Sequence, residues 1–432
     1  MAMPESADSD PGPSRVLALE PYYGGSHRAF LDGWRAHSRH AFTLLTLPAH
    51  HWKWRMRHGA VTLAEAAARL PRNPGGPPFH ALFTSSMLDL ASWRGLAPPG
   101  LAALPALAYF HENQLTYPVR REEERDLHFA FTHLTTALSA ERVAWNSAYH
   151  RDDFLAALER LLARMPDHAP RHAVSRIRAR SVVLPQGLDL PRGSGTRRRP
   201  GRPDGPLRIV WAARWEFDKN PGAFFRALHR LEERRVPYRV SVLGQSFHQV
   251  PEEFTRAREA LADHIDAWGY VEEREAYWRI LAGADVFVST ADHEFFGVAA
   301  AEAMAAGCRP LLPDRLAYPE LLSGLGDSCL QPFLYAGDDL ELAEALEALA
   351  RRLAATGSVW ASEAEREAVA AAMAPCCWPA LAPRLDAELT RLAADSRNLG
   401  TGPSGDSHIR GRRSWGPSDW AGSEAGGGVE TG

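Results

Sequence analysis

Short apolar runs alternate with longer stretches of helical period along most of the chain. RVLALEPYY from Arg15, LPALAYFH ending at His111, RVAWNS from Arg142 to Ser147 and VVLP near residue 185 are bounded by glycine, proline or polar turns. Each reads as a buried strand. After residue 206 the rhythm restarts with LRIVWA, YRVSVLG ending at Gly244, Val286 to Thr290 and Cys308 to Leu312. Amphipathic segments between these runs predict helices packed on a sheet. Strand and helix in alternation, twice over, predict an α/β chain of two doubly wound, Rossmann-like domains facing a central cleft.

Composition sets the boundaries. Residues 1–14 and 398–432 are rich in Gly, Ser, Pro and charge and are expected to be disordered tails. A first domain is predicted over 15–190, a Gly/Pro/Arg linker over 191–206 and a second domain over 207–375. An amphipathic helix within 376–397 lies outside the alternation and is expected to cross back onto the first domain.

The sharpest local pattern is DVFVSTADHEFFGVAAAEAMAAGCRPLLPD, from Asp285 to Asp314. It reads as strand, polar loop, helix and strand, with helix formers inside and a glycine at the helix end. Glu294 stands at the loop exit and Glu302 further along. Eight residues of helix turn through about 80°, so the two carboxylates can face one ligand lying across the helix start. The amides of Phe296, Gly297 and Val298 would lie at that N-terminus, where unpaired donors favour an anion or a sugar hydroxyl. From spacing alone, Glu294 reads equally as a helix cap and Glu302 as a surface glutamate.

Net charge of −4 over 432 residues excludes a global basic field, so a polyanionic partner must be met by a local patch. Four cysteines, two of them adjacent at Cys376 and Cys377, suit reduced thiols in a cytoplasmic protein. They show no metal-type spacing, and no metal is expected. Asp8 and Asp10 form a DxD, but within the tail it reads as chance. The N-terminal stretch has no apolar segment of the signal-peptide kind, and no run approaches a membrane span.

Further candidates sit where strands meet helices. Gly24 and Gly25 follow the first strand and permit close approach of a phosphate or sugar, or simply a turn, with Ser26 as the expected N-cap. His111 ends its strand and reads as structural or as a group that orients a sugar or moves a proton. Arg214 and Lys219 flank a tight loop before a helix opening at Pro221, a pairing suited to a diphosphate or to surface ion pairs. LPAHHWKWRMRHGA, residues 47–60, interleaves two tryptophans with Lys53, Arg55 and Arg57. Such mixing suits phosphate pairing with base stacking, or tryptophans turned to the core.

EFFGVAAAEAMAAGCRPL resembles the signature of the retaining glycosyltransferases of family 4. That resemblance implies the GT-B fold, with Glu294 on the donor sugar and Glu302 on the ribose hydroxyls. It also implies His111 beside the reacting sugar, Arg214 and Lys219 on the pyrophosphate and the backbone near Val271 on the nucleobase. Ala213 replaces the usual glycine before Arg214. Retention without a metal or covalent nucleophile is implied with it.

The blocks EPYYGGSH, LPAHHWKWRMR, FTSSMLDLASWRGL, YFHENQLTYP, VAWNS and RWEFDKNP, in this order, resemble the tRNA-queuosine α-mannosyltransferase family. Transfer of mannose from GDP-mannose to queuosine in the aspartate tRNA anticodon is what that resemblance implies. Trp52, Lys53, Arg55 and Arg57 are then the expected contacts to the anticodon arm. A lipid, small-metabolite or polysaccharide acceptor would keep every donor residue, and a non-catalytic RNA-binding or sugar-nucleotide-sensing protein would be expected to have lost them.

Overall fold

The computed structural model describes residues 12–71, 79–190, 205–245, 250–326 and 329–400. Two six-stranded sheets form its frame, and every strand pair in them is parallel. The first contains β1 (Arg15–Tyr23), β2 (Ala41–Pro48), β3 (Ala81–Ser85), β4 (Ala106–Phe110), β5 (Arg142–Trp145) and β6 (Ser181–Val183), in the order β2-β1-β3-β4-β5-β6. The second contains β7 (Leu207–Ala212), β8 (Tyr238–Leu243), β9 (Ile265–Gly269), β10 (Val286–Val288), β11 (Arg309–Pro313) and β12 (Leu334–Tyr335), in the order β12-β11-β10-β7-β8-β9. Helices cover both faces of such sheets, so β3, β4, β10 and β11 are buried at every residue. This is why they appear in sequence as unbroken apolar runs.

Strand order reverses between β1 and β3 in the first sheet and between β7 and β10 in the second. Connections from the two strands at a reversal leave on opposite faces, which opens a crevice at their carboxyl ends. β1 runs out into Gly24 and Gly25, β7 into the loop carrying Arg214 and Lys219, and β10 into the loop carrying Glu294. The fold places the candidate residues at its two crevices.

The helix Trp378–Gly400 follows the second sheet in sequence but joins the core of the first. Trp378, Leu381, Leu385 and Leu389 pack with Val16, Phe30, Trp34, Phe83 and Tyr109. A Cβ on Gly33 or Gly187 would fall 2.2 or 2.1 Å from the Trp378 indole, so both positions need glycine for packing. Buried Asp386 accepts from Trp34 Nε1 at 2.8 Å, Ser38 Oγ at 2.6 Å and the Arg39 amide at 2.9 Å. Three donors offset the cost of burying the carboxylate.

Some local expectations need correction. Ser14, assigned to the tail, is buried and donates its amide to His40 Nδ1, because β1 pairs with β2 up to that edge. The helix Gly25–His37 begins before Ser26, so Gly24 takes the cap position and Ser26 lies inside the first turn. The returning helix starts at Trp378 and stays helical to Gly400. Most of the linker, 191–204, the DxD of Asp8 and Asp10, and residues 401–432 lie outside the described residues.

A seam joins the halves at the start of the helix Ala148–Ala163. Ser147 caps this helix by accepting from the His150 amide, and its hydroxyl donates to the Phe295 carbonyl at 2.5 Å. Glu320 accepts from the amides of Ala148 and Tyr149 at 2.8 and 2.9 Å, supplying a carboxylate from the second domain to a helix N-terminus of the first. The His150 ring stacks on Phe295 with centroids 3.9 Å apart.

Burial pushes several histidines down: His133 to about 3, His293 to about 4, and His150 well below its ordinary value. Below the unfolded value of about 6.5 the unfolded chain takes up protons at these sites that the folded chain refuses, so stability falls with pH. His133 and His293 should each cost about 2 kcal/mol at pH 5. His27, whose pKa is raised by Glu20 against the pull of burial, contributes with the opposite sign. Calorimetry between pH 7 and pH 5 should therefore show a falling Tm; a flat profile would contradict the neutral burial of these rings.

Candidate active site

The loop after β7 is set by two backbone features. Asn220 adopts a left-handed conformation and caps the helix Pro221–Glu233 by accepting from the Ala223 amide, while Pro221 occupies the first helical position. Lys219 is thereby turned inward. Its Nζ donates to the His293 carbonyl at 2.6 Å and lies 3.1 Å from Asp218 and 3.4 Å from Glu294. Arg214 reaches across the cleft and donates to the Tyr117 hydroxyl of the first domain at 2.5 Å, with Glu216 at 3.3 Å.

Glu294 precedes the helix Val298–Ala305. Burial, the largest single influence, pushes its carboxyl up, but Lys219 together with His293, the Phe296 amide and Arg214 holds the pKa below the ordinary glutamate value. Its other oxygen accepts from the Phe296 amide at 3.4 Å. Gly297 has φ +91°, and a Cβ there would come 3.1 Å from the Tyr318 ring. That left-handed residue starts the helix after Glu294, so Glu294 and Glu302 do not share a helix and the expected 80° relation between them does not apply. The helix ends as expected, with Gly307 at φ +79°.

Glu302 forms a second cluster. It accepts from the Tyr277 hydroxyl at 3.0 Å and lies 3.6 Å from Arg274, both on the helix Arg274–Gly283. Burial raises its pKa, against the pull of Arg274 and Tyr277. Val271 sits half-buried in the turn after β9, beside Tyr270, which is 63% exposed. Arg274 also donates to the Asp189 carbonyl at 2.7 Å, tying this cluster to the end of the first domain.

In the first domain the two glycines have different reasons. A Cβ on Gly24 would meet Ala49 at 2.4 Å, so packing by itself requires glycine there. Gly25 has φ +53° and open space where a side chain would be. His111 is buried; Gln186 Nε2 lies 2.6 Å from its Nδ1, and its carbonyl accepts from Asn146 at 2.8 Å. Asn146 Oδ1 lies 2.8 Å from His150 Nδ1, so His111 connects through Asn146, His150 and Phe295 to the loop of Glu294.

Sequence reasoning missed Glu20, His27 and Gln186. Glu20 is 1% exposed in the middle of β1, accepts from the Tyr22 amide at 2.8 Å and pairs with His27 at 3.1 Å. Burial pushes His27 down, but the charge and hydrogen bond of Glu20 outweigh it and leave the ring more basic than usual. The legible signal was a carboxylate inside an apolar run, which needs a partner when buried. Among the described residues, ligand-type atoms of Glu20, His27 and His111 come within 4.8 Å of one another, where Glu20 already bonds His27 and His111 meets Gln186.

The basic-aromatic block folds as the helix Trp52–Ala68. Trp52 packs on Phe129 at 5.2 Å, Lys53 lies over the Trp52 ring, and Arg55 donates to the Pro48 carbonyl. Arg57 pairs with Asp126 at 2.9 Å and lies over Phe129. Trp54, at 60% exposure, is the tryptophan this helix turns outward.

Residues 15–188 match the model of the tRNA-queuosine alpha-mannosyltransferase N-terminal domain, and residues 195–326 match that of the glycosyl transferases group 1. A tRNA-queuosine alpha-mannosyltransferase of Drosophila melanogaster is 36% identical over 316 residues, 71% of this chain and 81% of the relative. A GDP-mannose-dependent alpha-(1-6)-phosphatidylinositol dimannoside mannosyltransferase of Mycobacterium tuberculosis is 28% identical over 154 residues, 34% of this chain and 39% of that protein. Among solved structures, the sucrose-phosphate synthase of Thermosynechococcus elongatus superposes with a TM-score of 0.61 at 15% identity, covering 88% of this chain and all of that one. Anabaena HepE, in complex with UDP, superposes with a TM-score of 0.59 at 13% identity, covering 87% of this chain and all of that one. At those identities the structures speak for the GT-B fold alone, whereas the match to the Drosophila protein reaches further: the chain belongs to the tRNA-queuosine alpha-mannosyltransferase family.

Proposed function

We propose that this chain transfers mannose from GDP-mannose to queuosine in the anticodon of aspartate tRNA, retaining the anomeric configuration. The observation that carries this reading is that Arg214, Lys219 and Glu294 stand together beside the seam, with His111 joined to the Glu294 loop through Asn146, His150 and Phe295, in a chain of this family. GDP-mannose as donor is supported by the name of the mycobacterial relative, which matches over 154 residues. Queuosine tRNA as acceptor is supported by the name of the Drosophila relative. No helix among the described residues is long and apolar enough to cross a membrane, and a cytoplasmic setting fits a tRNA acceptor.

The chemistry follows from charge. Departure of the nucleoside diphosphate builds negative charge on the leaving oxygens, and fixed positive groups lower that barrier because they need no reorganisation. Arg214, Lys219 and the amides of Gly297 and Val298 supply them without a metal. Glu294, ionised beside Lys219, accepts from sugar hydroxyls, and His111 approaches the sugar from the opposite domain. Glu302 takes the ribose hydroxyls, and the turn at Val271 meets the base. Acceptor attack on the face from which the diphosphate leaves gives retention without a covalent nucleophile.

Nucleoside mass spectrometry tests the reading directly. Queuosine-containing tRNA incubated with GDP-mannose should gain one hexose on queuosine, and UDP-glucose should give none. Glu294→Gln, which keeps the shape and removes the charge, should lower kcat by about 100-fold or more. Hydrolysis of the donor without labelled queuosine would reject the acceptor and keep the cleft.

The acceptor surface has its own test. Charge reversal at Arg55 and Arg57 should weaken tRNA binding and flatten its salt dependence by about 0.7 to 0.9 in log–log slope for each phosphate that is no longer neutralised. Trp54→Ala should weaken tRNA binding by about tenfold with an unchanged salt slope, as expected when a stacked ring is removed. Equal binding by all three variants would remove this helix from the acceptor surface.

A further inference from the structure

His111 is a buried imidazole with one nitrogen engaged and the other free. Nδ1 faces the side-chain amide nitrogen of Gln186 at 2.6 Å, whereas buried Nε2 has no hydrogen-bonding partner in the protein. An amide NH2 only donates, so Nδ1 must accept and the ring proton belongs on Nε2. We propose that Gln186 is a positioning residue that fixes His111 as its Nε2–H tautomer, so that the histidine offers a hydrogen-bond donor, and not a base, to a hydroxyl oxygen of the bound sugar. This rests on the reading that His111 faces the transferred sugar.

Gln186 is suited to the task because its loop is held on several sides. The Leu184 carbonyl accepts from the Tyr109 hydroxyl at 2.9 Å, and the Leu188 amide donates to the Cys376 carbonyl at 2.8 Å. Gly187 lies directly against the Trp378 indole, leaving no room for a Cβ. Gln186 itself is buried, at 5% exposure.

The surroundings keep the ring neutral, which makes proton placement the remaining variable. His27, paired with Glu20, lies 4.1 Å away; the Phe30 edge is at 5.1 Å and Tyr109 at 4.6 Å. Glu112 follows His111 in the chain, and His150 stands beyond Asn146. Burial first, then His27 and His150, hold the His111 pKa well below the ordinary histidine value. A carboxamide turned over would present its oxygen and reverse the tautomer. The assignment is therefore directly measurable.

The test uses the full-length protein labelled with 15N-histidine at about pH 7, where an ordinary histidine is mostly neutral, with His111→Asn to identify the His111 signals. Wild type should carry the proton on Nε2. Gln186→Glu, whose carboxylate only accepts, should move it to Nδ1 or charge the ring, and should lower kcat about 100-fold with little change in donor KM. Gln186→Met, of similar shape but without a donor, should lower kcat by about tenfold at unchanged KM. A wild-type proton on Nδ1, or wild-type kcat in both variants, would overturn the proposal. If the tautomer is as stated but His111→Asn transfers mannose at full rate, the placement of His111 on the sugar falls and the assigned tautomer stands.

Discussion

The buried charge of Lys219 is the constraint from which the cleft is built. An ammonium removed from water needs acceptors and counter-charge: here the His293 carbonyl and the Glu294 carboxylate accept, and the buried Asp218 carboxylate lies 3.1 Å away as an ion-pair partner. Those groups come from the exits of β7 and β10, strands that are adjacent where the sheet order reverses. Further bonds lock the two loops together: the Thr290 hydroxyl donates to the Lys219 carbonyl at 2.8 Å, and the Asp292 amide to the Asp218 carbonyl at 2.9 Å. Glu294 is consequently ionised and fixed before any ligand arrives. A cleft prepared in this way does not spend binding energy on arranging its own charges.

The same loop is tied to the other domain. Phe295, next to Glu294, meets Ser147 and His150, and Glu320 closes on the amides at the start of their helix. On the far side, Asn146 links His150 to the carbonyl of His111. Glu294 and His111 are thus spaced by one continuous set of contacts. Arg214 with Tyr117, and Arg274 with Asp189, repeat the arrangement at two other points of the seam.

Much of the frame was legible because parallel strands covered on both faces leave unbroken apolar runs, as in ALAYF and LRIVWA. The helix after Gly297 was legible from its alanines and its terminal glycine, and Arg214, Lys219, Glu294 and Glu302 from motif resemblance. Long-range placement was not. Gln186 meets His111 across 75 residues and Ser147 meets Phe295 across 148, and no local period marks either pairing. The packing reason for Gly24 was hidden in the same way, since the Ala49 that requires it arrives from the loop after β2. Ser26 looked like a cap, but a cap is decided by where backbone bonds begin, and β1 delivers the chain into the helix one residue sooner. The tryptophans at 52 and 54 show the same limit: alternation in sequence did not say that Trp52 would pack on Phe129 and Trp54 would face water.

The central claim is that the charge at Lys219 and Arg214 exists to receive a nucleoside diphosphate at the start of the Val298–Ala305 helix. A crystal structure of the protein with GDP tests it most directly. The account predicts the two phosphates against Arg214, Lys219 and the Gly297 amide, the ribose hydroxyls on Glu302 and the base at the turn of Val271. Nucleotide bound elsewhere, with no phosphate beside Lys219 or Arg214, would contradict it.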